Sequence, residues 1–452
     1  MKNITRRSFI ASGVKAALVG TAAVNSAATA QSTPWSNWSG GQICQPAGRY
    51  DIASEEQLID LLKGTSGPIR PIGSGHSFSP LIPTDGHLVI IDQLSGILDY
   101  DSSTLEATIG AGSRLGDLGA ALEEIGQGMF NLPDIDRQTL AGATATGTHG
   151  TGVSLQSLSG YITSLRLVTP EGDIRDIDAS DGDLFDAVRV NVGALGVVTQ
   201  IRMQNRENYK LRKREWAAPT EDILANFDEL AASHRHFEIF PRVYSDYSSV
   251  LSIDETGEPI GQTIIPDEDV ASIEPQPLGP NPSPLERLNY NNARAANTQL
   301  TEAVDVSYKL LSNLRNTRFN EMEYSVPAAV GAECVREILK TIYDQAIEVA
   351  FPLEYRYVSP DAPWLSMAYG DEPHATISIH RVASEDYNPY FDIMEPIFWK
   401  YGGRPHWGKL HSLGHRELSQ LYPRFKDFME IRESLDPNGR MLNQHLKNLF
   451  DA

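Results

Sequence analysis

The sequence predicts an α+β protein built from two domains. A chain of 452 residues is long for one hydrophobic core and comfortable for two packed domains. From Trp35 to about residue 205, short β-branched strands alternate with helical patterns, and Gly, Ser and Asp separate them. From about residue 206 onward, longer helices mix with strands. We therefore expect an export segment at 1–30, a first domain at 31–205 and a second at 206–452.

Periodicity and turn residues place the elements of the first domain. Strands are predicted at Ile69–Gly73, Leu88–Asp92, Ile97–Tyr100 and Leu105–Gly110, and helices at Ser54–Lys63 and Leu115–Ile125. A hairpin is predicted to join Tyr161–Thr169 to Ile174–Ile177. In the second domain, the Pro- and acid-rich segment between Ile253 and Asn292 is expected to be a long surface loop.

The first 30 residues have the features of a targeting segment. Arg6-Arg7 precede Ser8-Phe9-Ile10, a mildly apolar run follows, and Ala28-Thr29-Ala30 offers a cleavage site. Paired arginines are typical of a twin-arginine signal, with a Sec signal or an unstructured tail as the alternatives. Lys15 interrupts the apolar run, so no stretch reaches the roughly 18–20 residues of a membrane helix. We expect a periplasmic or secreted protein without a membrane span in its mature chain.

Charge and cysteine content exclude several classes of function. The net charge is −21, and removal of the four cations in residues 1–30 would make the mature chain still more acidic. Such a surface repels phosphate backbones and anionic lipids, which argues against nucleic acid as a partner. The chain has only two cysteines, so no metal centre built from cysteines is expected. A Cys44–Cys334 disulfide remains open at this stage.

Two glycine-dense loops dominate the first domain. One runs from Arg70 to Ser79 around Gly73-Ser74-Gly75-His76, and the other from Leu140 to Gly152. Successive backbone N–H groups exposed by glycines can bind a pyrophosphate. Either loop alone is more simply a tight turn, but the two together favour a dinucleotide. The site is not a Rossmann fingerprint, because no helix opens directly after the first loop.

These motifs resemble the vanillyl-alcohol-oxidase flavoprotein superfamily, and more narrowly its aldonolactone oxidase group. The resemblance rests on Gly73–His76, Gly142–Gly152, Gly193–Thr199, Glu354-Tyr355-Arg356 and Gly403–Lys409. It implies a PCMH-type FAD-binding domain, an α+β substrate (cap) domain, and a C-terminal segment at about 400–452 that packs near the flavin. The residues that it assigns to FAD are Arg70, Pro71, Gly73, Ser74, Gly75, His76, Ser77, Gly142, Thr146, Gly147, Thr148, His149, Gly150, Gly152, Val197 and Val198.

Two histidines of the glycine loops receive different roles. In relatives that carry Gly-Ser-Gly-His-Ser, the histidine is bonded to FAD, so the resemblance implies a covalent flavin on His76; a loop histidine that only forms hydrogen bonds is the alternative. For His149 we favour a structural position beneath the pyrophosphate over a chemical role.

The resemblance also implies three catalytic residues. Glu354 and Arg356 occupy alternate positions of a predicted strand and therefore share one face. A surface ion pair is the simpler interpretation, but this Glu-x-Arg matches the active-site pair of the group. Lys409 matches a residue that reaches the substrate hydroxyl, and an anchoring role for its segment is the alternative.

The expected reaction is hydride transfer from a CH–OH group of an aldono-1,4-lactone to flavin N5. Reoxidation is left open between oxygen and a periplasmic electron acceptor. Alditol oxidases of the group carry a polar His-x-Thr, whereas Ile377-Ser378-Ile379 followed by His380 is closer to an apolar lactone-oxidase pattern. An alditol or other sugar oxidase and a non-catalytic carbohydrate-binding protein are the alternatives.

Overall fold

The computed structural model describes residues 33–265, 275, 277–295, 298–313 and 316–452. The predicted export segment at 1–30 lies outside these residues. Within them, no helix has both the length and the apolar character needed to cross a membrane.

The first half of the chain forms two main sheets. Its strands are β1 (Trp35–Ser36), β2 (Ile43–Cys44), β3 (Gly48–Asp51), β4 (Ile69–Ile72), β5 (His87–Ile90), β6 (Ile97–Asp101), β7 (Glu106–Gly110), β8 (Gln127–Gly128), β9 (Ile162–Val168), β10 (Ile174–Asp178) and β11 (Val197–Gln204). A parallel sheet has the order β3-β5-β4, and an antiparallel sheet has the order β10-β9-β11-β7-β6. The predicted hairpin is the antiparallel pair β9–β10, which confirms it.

The second half is organised around one antiparallel sheet with the order β16-β17-β13-β15-β14-β19-β20-β18-β21. Its strands, with the short β12 that pairs with β8, are β12 (Arg206–Glu207), β13 (Lys210–Pro219), β14 (His236–Pro241), β15 (Tyr247–Glu255), β16 (Gly261–Ile265), β17 (Leu300–Val306), β18 (Phe319–Pro327), β19 (Glu354–Val358), β20 (His374–Val382) and β21 (Arg404–Pro405).

The helices cover the faces of these sheets. They are α1 (Glu55–Gly64), α2 (Leu115–Glu124), α3 (Leu140–Ala145), α4 (Asp183–Arg189), α5 (Thr220–Ala225), α6 (Phe227–Ser233), α7 (Pro284–Ala295), α8 (Ser307–Leu311), α9 (Ala328–Asp344), α10 (Asn388–Lys400), α11 (His415–Leu421), α12 (Phe425–Leu435) and α13 (Gln444–Phe450).

The two helices predicted in the first domain are confirmed. Ser54 is the N-cap of α1, where its hydroxyl accepts a hydrogen bond from the Gln57 N–H at 3.3 Å. Leu58, Leu61 and Leu62 form the buried face of that helix, at the i, i+3, i+4 spacing of an amphipathic helix. The glycine-rich turn at Gly110–Gly112 leads into α2, as an ordinary helix entry.

The segment expected as one long surface loop is wrong in part. Residues 261–265 pair with β17 as the exposed edge strand β16, and residues 284–295 form α7. An edge strand has one neighbour and both faces in water, so its apolar alternation is weak and periodicity does not find it. Residues 266–274 and 276 lie outside the described part.

The C-terminal segment returns to the first half of the chain. The guanidinium of Arg440 donates to the carbonyls of Pro170, Leu62 and Thr65 at 2.7–2.9 Å. The carbonyl of Gly408 accepts a 2.7 Å bond from the N–H of Phe78 in the first glycine loop. This return places Lys409 beside that loop. The disulfide left open by the sequence is not formed, because Cys44 and Cys334 are both free.

Candidate active site

The two glycine loops meet in space. Thr139 caps α3, and its hydroxyl accepts from the N–H of Gly142 at 3.3 Å. A Cβ on Gly73 would lie 2.2 Å from that hydroxyl, so glycine at this position leaves room for the capping side chain of Thr139. Together the loops enclose a cavity, called here the loop cavity, whose lining includes Arg70, Pro71, Gly73, Ser74, Gly75, His76, Ser77, Gly142, Thr146, Gly193 and Val198.

Part of the second glycine loop is helical, which the sequence interpretation missed. Residues 140–145 form α3, because Thr139 supplies an N-cap and leucine and alanine favour helix. The glycines that follow α3 have other uses. A Cβ on Gly150 would come within 2.3 Å of Asn131 Oδ1, and Gly152 donates to the carbonyl of Tyr357 in β19 at 2.8 Å. Gly150 thus allows close packing within the first half, and Gly152 serves the junction of the two halves; neither lines the loop cavity.

Arg70 is buried and lines the loop cavity. Its side chain donates to the carbonyls of Leu81, Gly193 and Val192 at 2.7–2.8 Å, and also to that of Met441. The residue is 1 % exposed, and burial lowers its pKa to about 9. One guanidinium thereby joins the first loop, the 191–196 turn and the C-terminal segment.

His76 stands where the loop cavity opens into a second cavity and lines both. Its ring stacks on Trp38, with centroids 5.5 Å apart and planes 26° apart. Burial lowers the pKa of His76 to about 4, and the cations Lys409, Arg114 and Arg137 add to the effect. The imidazole is therefore neutral at neutral pH, with one nitrogen lone pair free for bonding.

The second cavity, called here the sheet cavity, lies over a polar face of the nine-stranded sheet. Directly paired residues of antiparallel strands point to the same side. Arg356 pairs with Glu238 and Thr376, and Glu354 pairs with Ser378. The same row continues through the pairs Glu323↔Ser378 and Glu321↔His380.

Arg356 is the central cation of this row. Its Nη1 lies 2.7 Å from Oε1 of Glu354, and its guanidinium also lies 3.9 Å from Glu238 and 3.8 Å from Glu323. Burial works against the charge, but these carboxylates together raise the pKa of Arg356. Oε1 of Glu354 is buried without a directed hydrogen bond, so it can accept one from a molecule in the cavity.

Two carboxyl groups beside Arg356 are poised to titrate. Burial raises the pKa of Glu238 to about 7, and the neighbouring Glu354 adds to the rise while Arg356 opposes it. Burial likewise raises the pKa of Glu354, against the attraction of Arg356. Thr151 donates to Glu238 at 2.5 Å.

Lys409 reaches the sheet cavity from the opposite wall. Its ammonium forms a salt bridge with Glu321 and lies 5.2 Å above the ring of Phe78. Burial opposes ionisation of Glu321, but Lys409 and then His380 lower its pKa to about 2. The two groups form an ion pair in the sheet cavity.

His149 lines the sheet cavity and not the loop cavity. Its Nε2 is 2.7 Å from Oε1 of Glu323, and its Nδ1 donates to the carbonyl of Gly150 at 2.9 Å. Burial would raise the pKa of Glu323, yet His149 holds it well below the ordinary range.

The structure brings most of the predicted site residues to the two cavities. Glu354, Arg356, Lys409, Thr148 and His149 line the sheet cavity. Four predicted cofactor residues line neither cavity, and these are Gly147, Gly150, Gly152 and Val197. Val197 is fully buried in β11, with its neighbour Val198 pointing into the loop cavity.

Sequence reasoning missed the acidic wall of the sheet cavity. Glu321 and Glu323 alternate on β18 in the same way as Glu354 and Arg356 on β19, so the pattern was available. Glu238 had no such signal, because one glutamate in an apolar strand gives no spacing to interpret.

The apolar pattern of Ile377-Ser378-Ile379 does not describe the cavity side of β20. Ile377 and Ile379 are fully buried on the far side of β20, in the core beneath α9. The cavity side of that strand carries Thr376, Ser378 and His380, as the strand pairing requires. This strand therefore gives no reason to prefer a lactone to an alditol.

Comparison with known proteins agrees with this architecture. Residues 201–449 match the family model described as D-arabinono-1,4-lactone oxidase, and residues 46–178 match the FAD binding domain. The chain is 34% identical over 429 residues to L-gulono-1,4-lactone dehydrogenase of Mycobacterium tuberculosis, covering 92% of this chain and 99% of that protein. The chain belongs to the D-arabinono-1,4-lactone oxidase family.

More distant relatives of this family member include two oxidases. L-gulonolactone oxidase of Scyliorhinus torazame is 26% identical, over 92% of this chain and 97% of the relative. Alditol oxidase of Streptomyces is 24% identical, over 93% of this chain and 100% of the relative. Among solved structures, cholesterol oxidase from B. sterolicum superposes with a TM-score of 0.76 at 16% identity, covering 94% and 97% of the two chains, which shows a shared fold.

This family member is an FAD-dependent oxidoreductase with the two-domain α+β fold of its superfamily. The cavities fit that cofactor. The loop cavity is lined by glycines of both loops, and a Cβ at Gly73 would collide with the Thr139 hydroxyl. It shares His76 with the sheet cavity. A dinucleotide held by the loops would therefore present its flavin end to the polar row of β19 and β18.

Proposed function

We propose that this protein oxidises a CH–OH group of an aldono-1,4-lactone of the gulono-, galactono- or arabinono-type. The observation that carries the proposal is the sheet cavity, where Glu354, Arg356 and Lys409 converge beside His76. Bound FAD would supply the acceptor for the two electrons and the carbon-bound hydrogen. The curated relative that matches 92% of this chain is named for the same class of substrate.

The three charged side chains would have different roles in substrate binding. Glu354 lines the sheet cavity, and its carboxylate would accept hydrogen bonds from substrate hydroxyls. Arg356 is fixed by Glu354 at 2.7 Å and by Thr376 at 3.3 Å, so its guanidinium needs little reordering when a substrate binds. Lys409 would place a positive charge at the reacting hydroxyl and lower the pKa of that hydroxyl.

Substrate identity is tested by following anaerobic bleaching of the purified flavoprotein with L-gulono-, L-galactono- and D-arabinono-1,4-lactone and with xylitol and sorbitol. We expect at least one lactone to reduce the flavin with a larger rate constant than either alditol. The reverse order would replace the proposal by its alternative, an alditol oxidase. That alternative is favoured by the polar cavity side of β20, which carries Ser378 and His380.

We further infer that FAD is attached covalently through His76. Its position at the junction of the two cavities and its neutral ring support the proposal, because only a neutral imidazole has a lone pair that can bond to carbon. The test is acid precipitation of wild type and H76A, followed by flavin fluorescence of the pellets. Fluorescence in the wild-type pellet only would support the bond, whereas flavin released from the wild type would refute it.

Export is also a proposal, and it rests on Arg6-Arg7 and the run that follows them. The first 30 residues would direct the protein to the periplasm or the medium. Fractionation of cells that express wild type and R6K/R7K checks this, since a twin-arginine substrate should stay in the cytoplasm when both arginines are lost. Equal export of the two proteins would refute this route.

Oxygen consumption, compared with reduction of an artificial electron acceptor, distinguishes an oxidase from a dehydrogenase.

A further inference from the structure

The contacts of His149 require a proton shared with Glu323. The carbonyl of Gly150 can only accept, so Nδ1 of His149, 2.9 Å away, carries a hydrogen. Nε2 lies 2.7 Å from a carboxylate oxygen of Glu323, and a contact that short between these atoms also needs a hydrogen. Both residues are at most 4 % exposed, so water does not mediate this contact. The pair therefore holds one hydrogen on Nδ1 and one between Nε2 and Oε1, and because the pKa of Glu323 lies well below its ordinary range we assign the second to the imidazole. The contact links the second glycine loop to β18.

The second oxygen of Glu323 faces the two cations of the sheet cavity. Oε2 lies 3.8 Å from Nζ of Lys409 and 3.8 Å from Nη2 of Arg356. Both separations exceed a direct hydrogen bond, so Oε2 keeps accepting capacity toward the cavity. A substrate oxygen bound between Lys409 and Arg356 would have this anionic oxygen as a neighbour.

Oxidation of a CH–OH group needs a proton acceptor on the protein. The carbon loses its hydrogen with two electrons to the flavin, and the O–H bond breaks to leave a ketone and one proton. Lys409 is paired with Glu321 and the Arg356 guanidinium is always charged, so the acceptor is a carboxylate of the cavity. Oε1 of Glu354 is already 2.7 Å from Arg356, whereas Oε2 of Glu323 lies 3.8 Å from both Arg356 and Lys409.

We propose that Glu323 is this proton acceptor, a catalytic residue whose carboxylate is held ionised and oriented by the His149 imidazolium. The hydroxyl proton would pass to Oε2 of Glu323, while bound FAD would supply the acceptor for the carbon-bound hydrogen and its two electrons. His149 is a positioning residue that acts through Oε1. The inference rests on the proposed function, because it takes a CH–OH substrate as given.

The decisive experiment is anaerobic stopped-flow reduction of E323Q with the best lactone of the screen. The amide is isosteric and neutral, so we expect the rate constant of flavin reduction to fall about 10²–10⁴-fold, the usual contribution of a positioned base. E323D should recover part of the loss, since it restores a carboxylate. H149Q should lose less than E323Q, because the carboxyl group is kept and Arg356 still lies 3.8 Å from its Oε2.

E395Q is the matched control. Glu395 is also a buried carboxylate beside β18, where it accepts from Tyr324 on the opposite face at 2.5 Å. Its loss should reduce thermal stability and leave the reduction rate constant unchanged. The assignment is overturned if the flavin of E323Q is reduced as fast as that of wild type. It is also overturned if the rate constant falls as much in E395Q as in E323Q.

Two further readouts separate chemistry from structure. The wild-type rate constant should be lower in D₂O than in H₂O, and the absence of any solvent isotope effect on a step limited by C–H cleavage would count against Glu323. In ¹⁵N-histidine NMR of the holoprotein without substrate, His149, assigned through H149Q, should show both ring nitrogens protonated at neutral pH; a neutral ring would contradict the ion pair. This measurement remains decisive if E323Q does not fold. Failure of wild type to be reduced by any lactone or alditol would refute the proposed function instead.

Discussion

Replacement of Arg356 by methionine is the most informative test of the charge balance in the sheet cavity. The guanidinium lies within 4 Å of three buried carboxylates, Glu354, Glu323 and Glu238, at 2.7, 3.8 and 3.9 Å. Methionine has a similar length and no charge. The variant would therefore leave these carboxyl groups together in a buried site without their central cation.

The expected loss of stability depends on pH. Removal of one partner from a buried ion pair typically costs about 3–5 kcal/mol. The pKa of Glu238 is already raised to about 7, and that of Glu354 is raised, in the presence of Arg356. A carboxyl group whose pKa is higher in the folded than in the unfolded state stabilises the fold while it is protonated. Its contribution is complete below the unfolded-state pKa of 4.5 and is lost as the pH rises through the folded-state pKa.

Loss of Arg356 raises these pKa values further, because the guanidinium opposes their rise. The free energy of unfolding should therefore fall more steeply with pH in R356M than in wild type, by up to about 1.4 kcal/mol per pH unit for each additional proton bound in the folded state. The destabilisation should be small near pH 5 and approach its full size near pH 8.

Thermal and urea unfolding of wild type, R356M and R356K at pH 5, 6, 7 and 8 and constant ionic strength measures this difference. R356K keeps the positive charge but loses the planar, bidentate donor geometry of the guanidinium. Its stability should therefore follow the wild-type pH dependence, while its rate of flavin reduction should be lower. An equal destabilisation of R356M at pH 5 and pH 8 would refute the assignment of titrating carboxyls to this site.

Two other changes test separate parts of the site. K409M should lower the rate constant of flavin reduction by about 10²–10³-fold, the cost of removing a preorganised positive group. The absorption spectrum should show an unchanged flavin content. If K409M is reduced as fast as wild type, Lys409 has no role in the reaction. R70M should lower the free energy of unfolding by on the order of 3 kcal/mol. The lost charge-assisted hydrogen bonds, worth about 1.5–3 kcal/mol each, outweigh the gain from no longer burying a cation. The purified variant should also contain less FAD. R440M is its control, since Arg440 makes similar carbonyl bonds outside the loop cavity; equal flavin loss in both variants would show that Arg70 acts only through the C-terminal segment.

The sequence predicts the local parts of this site better than their assembly. The strand that carries Glu354 and Arg356 follows from alternation, and helix α1 follows from Ser54 and the leucine spacing, because both signals lie within a few residues. The meeting of the two glycine loops could be inferred only from the resemblance. Its physical cause, the contact of Gly73 with Thr139, joins residues 66 positions apart that no periodicity relates.

The position of His149 shows the limit more sharply. Its local sequence, between Thr148 and Gly150, suggests a phosphate loop, and this interpretation placed it under the cofactor. Its actual partner, Glu323, is 174 residues away and is brought to it by the packing of β18 over the second loop. Side-chain pairing across the two halves is set by the relative placement of their sheets, which the sequence pattern of either half leaves undetermined.

The arrangement of charges explains why the cavity needs both halves of the chain. The carboxylates of Glu321, Glu323 and Glu354 all come from two strands of the second half, and burial penalises each of them. Arg356 alone could not compensate all three in a dry site. The second glycine loop supplies His149 to Glu323, and the return of the C-terminal segment supplies Lys409 to Glu321. Closure of the two halves on each other is thus coupled to ionisation of the acidic wall, and a variant that loosens the junction should lose the charge state of the site before it loses its fold.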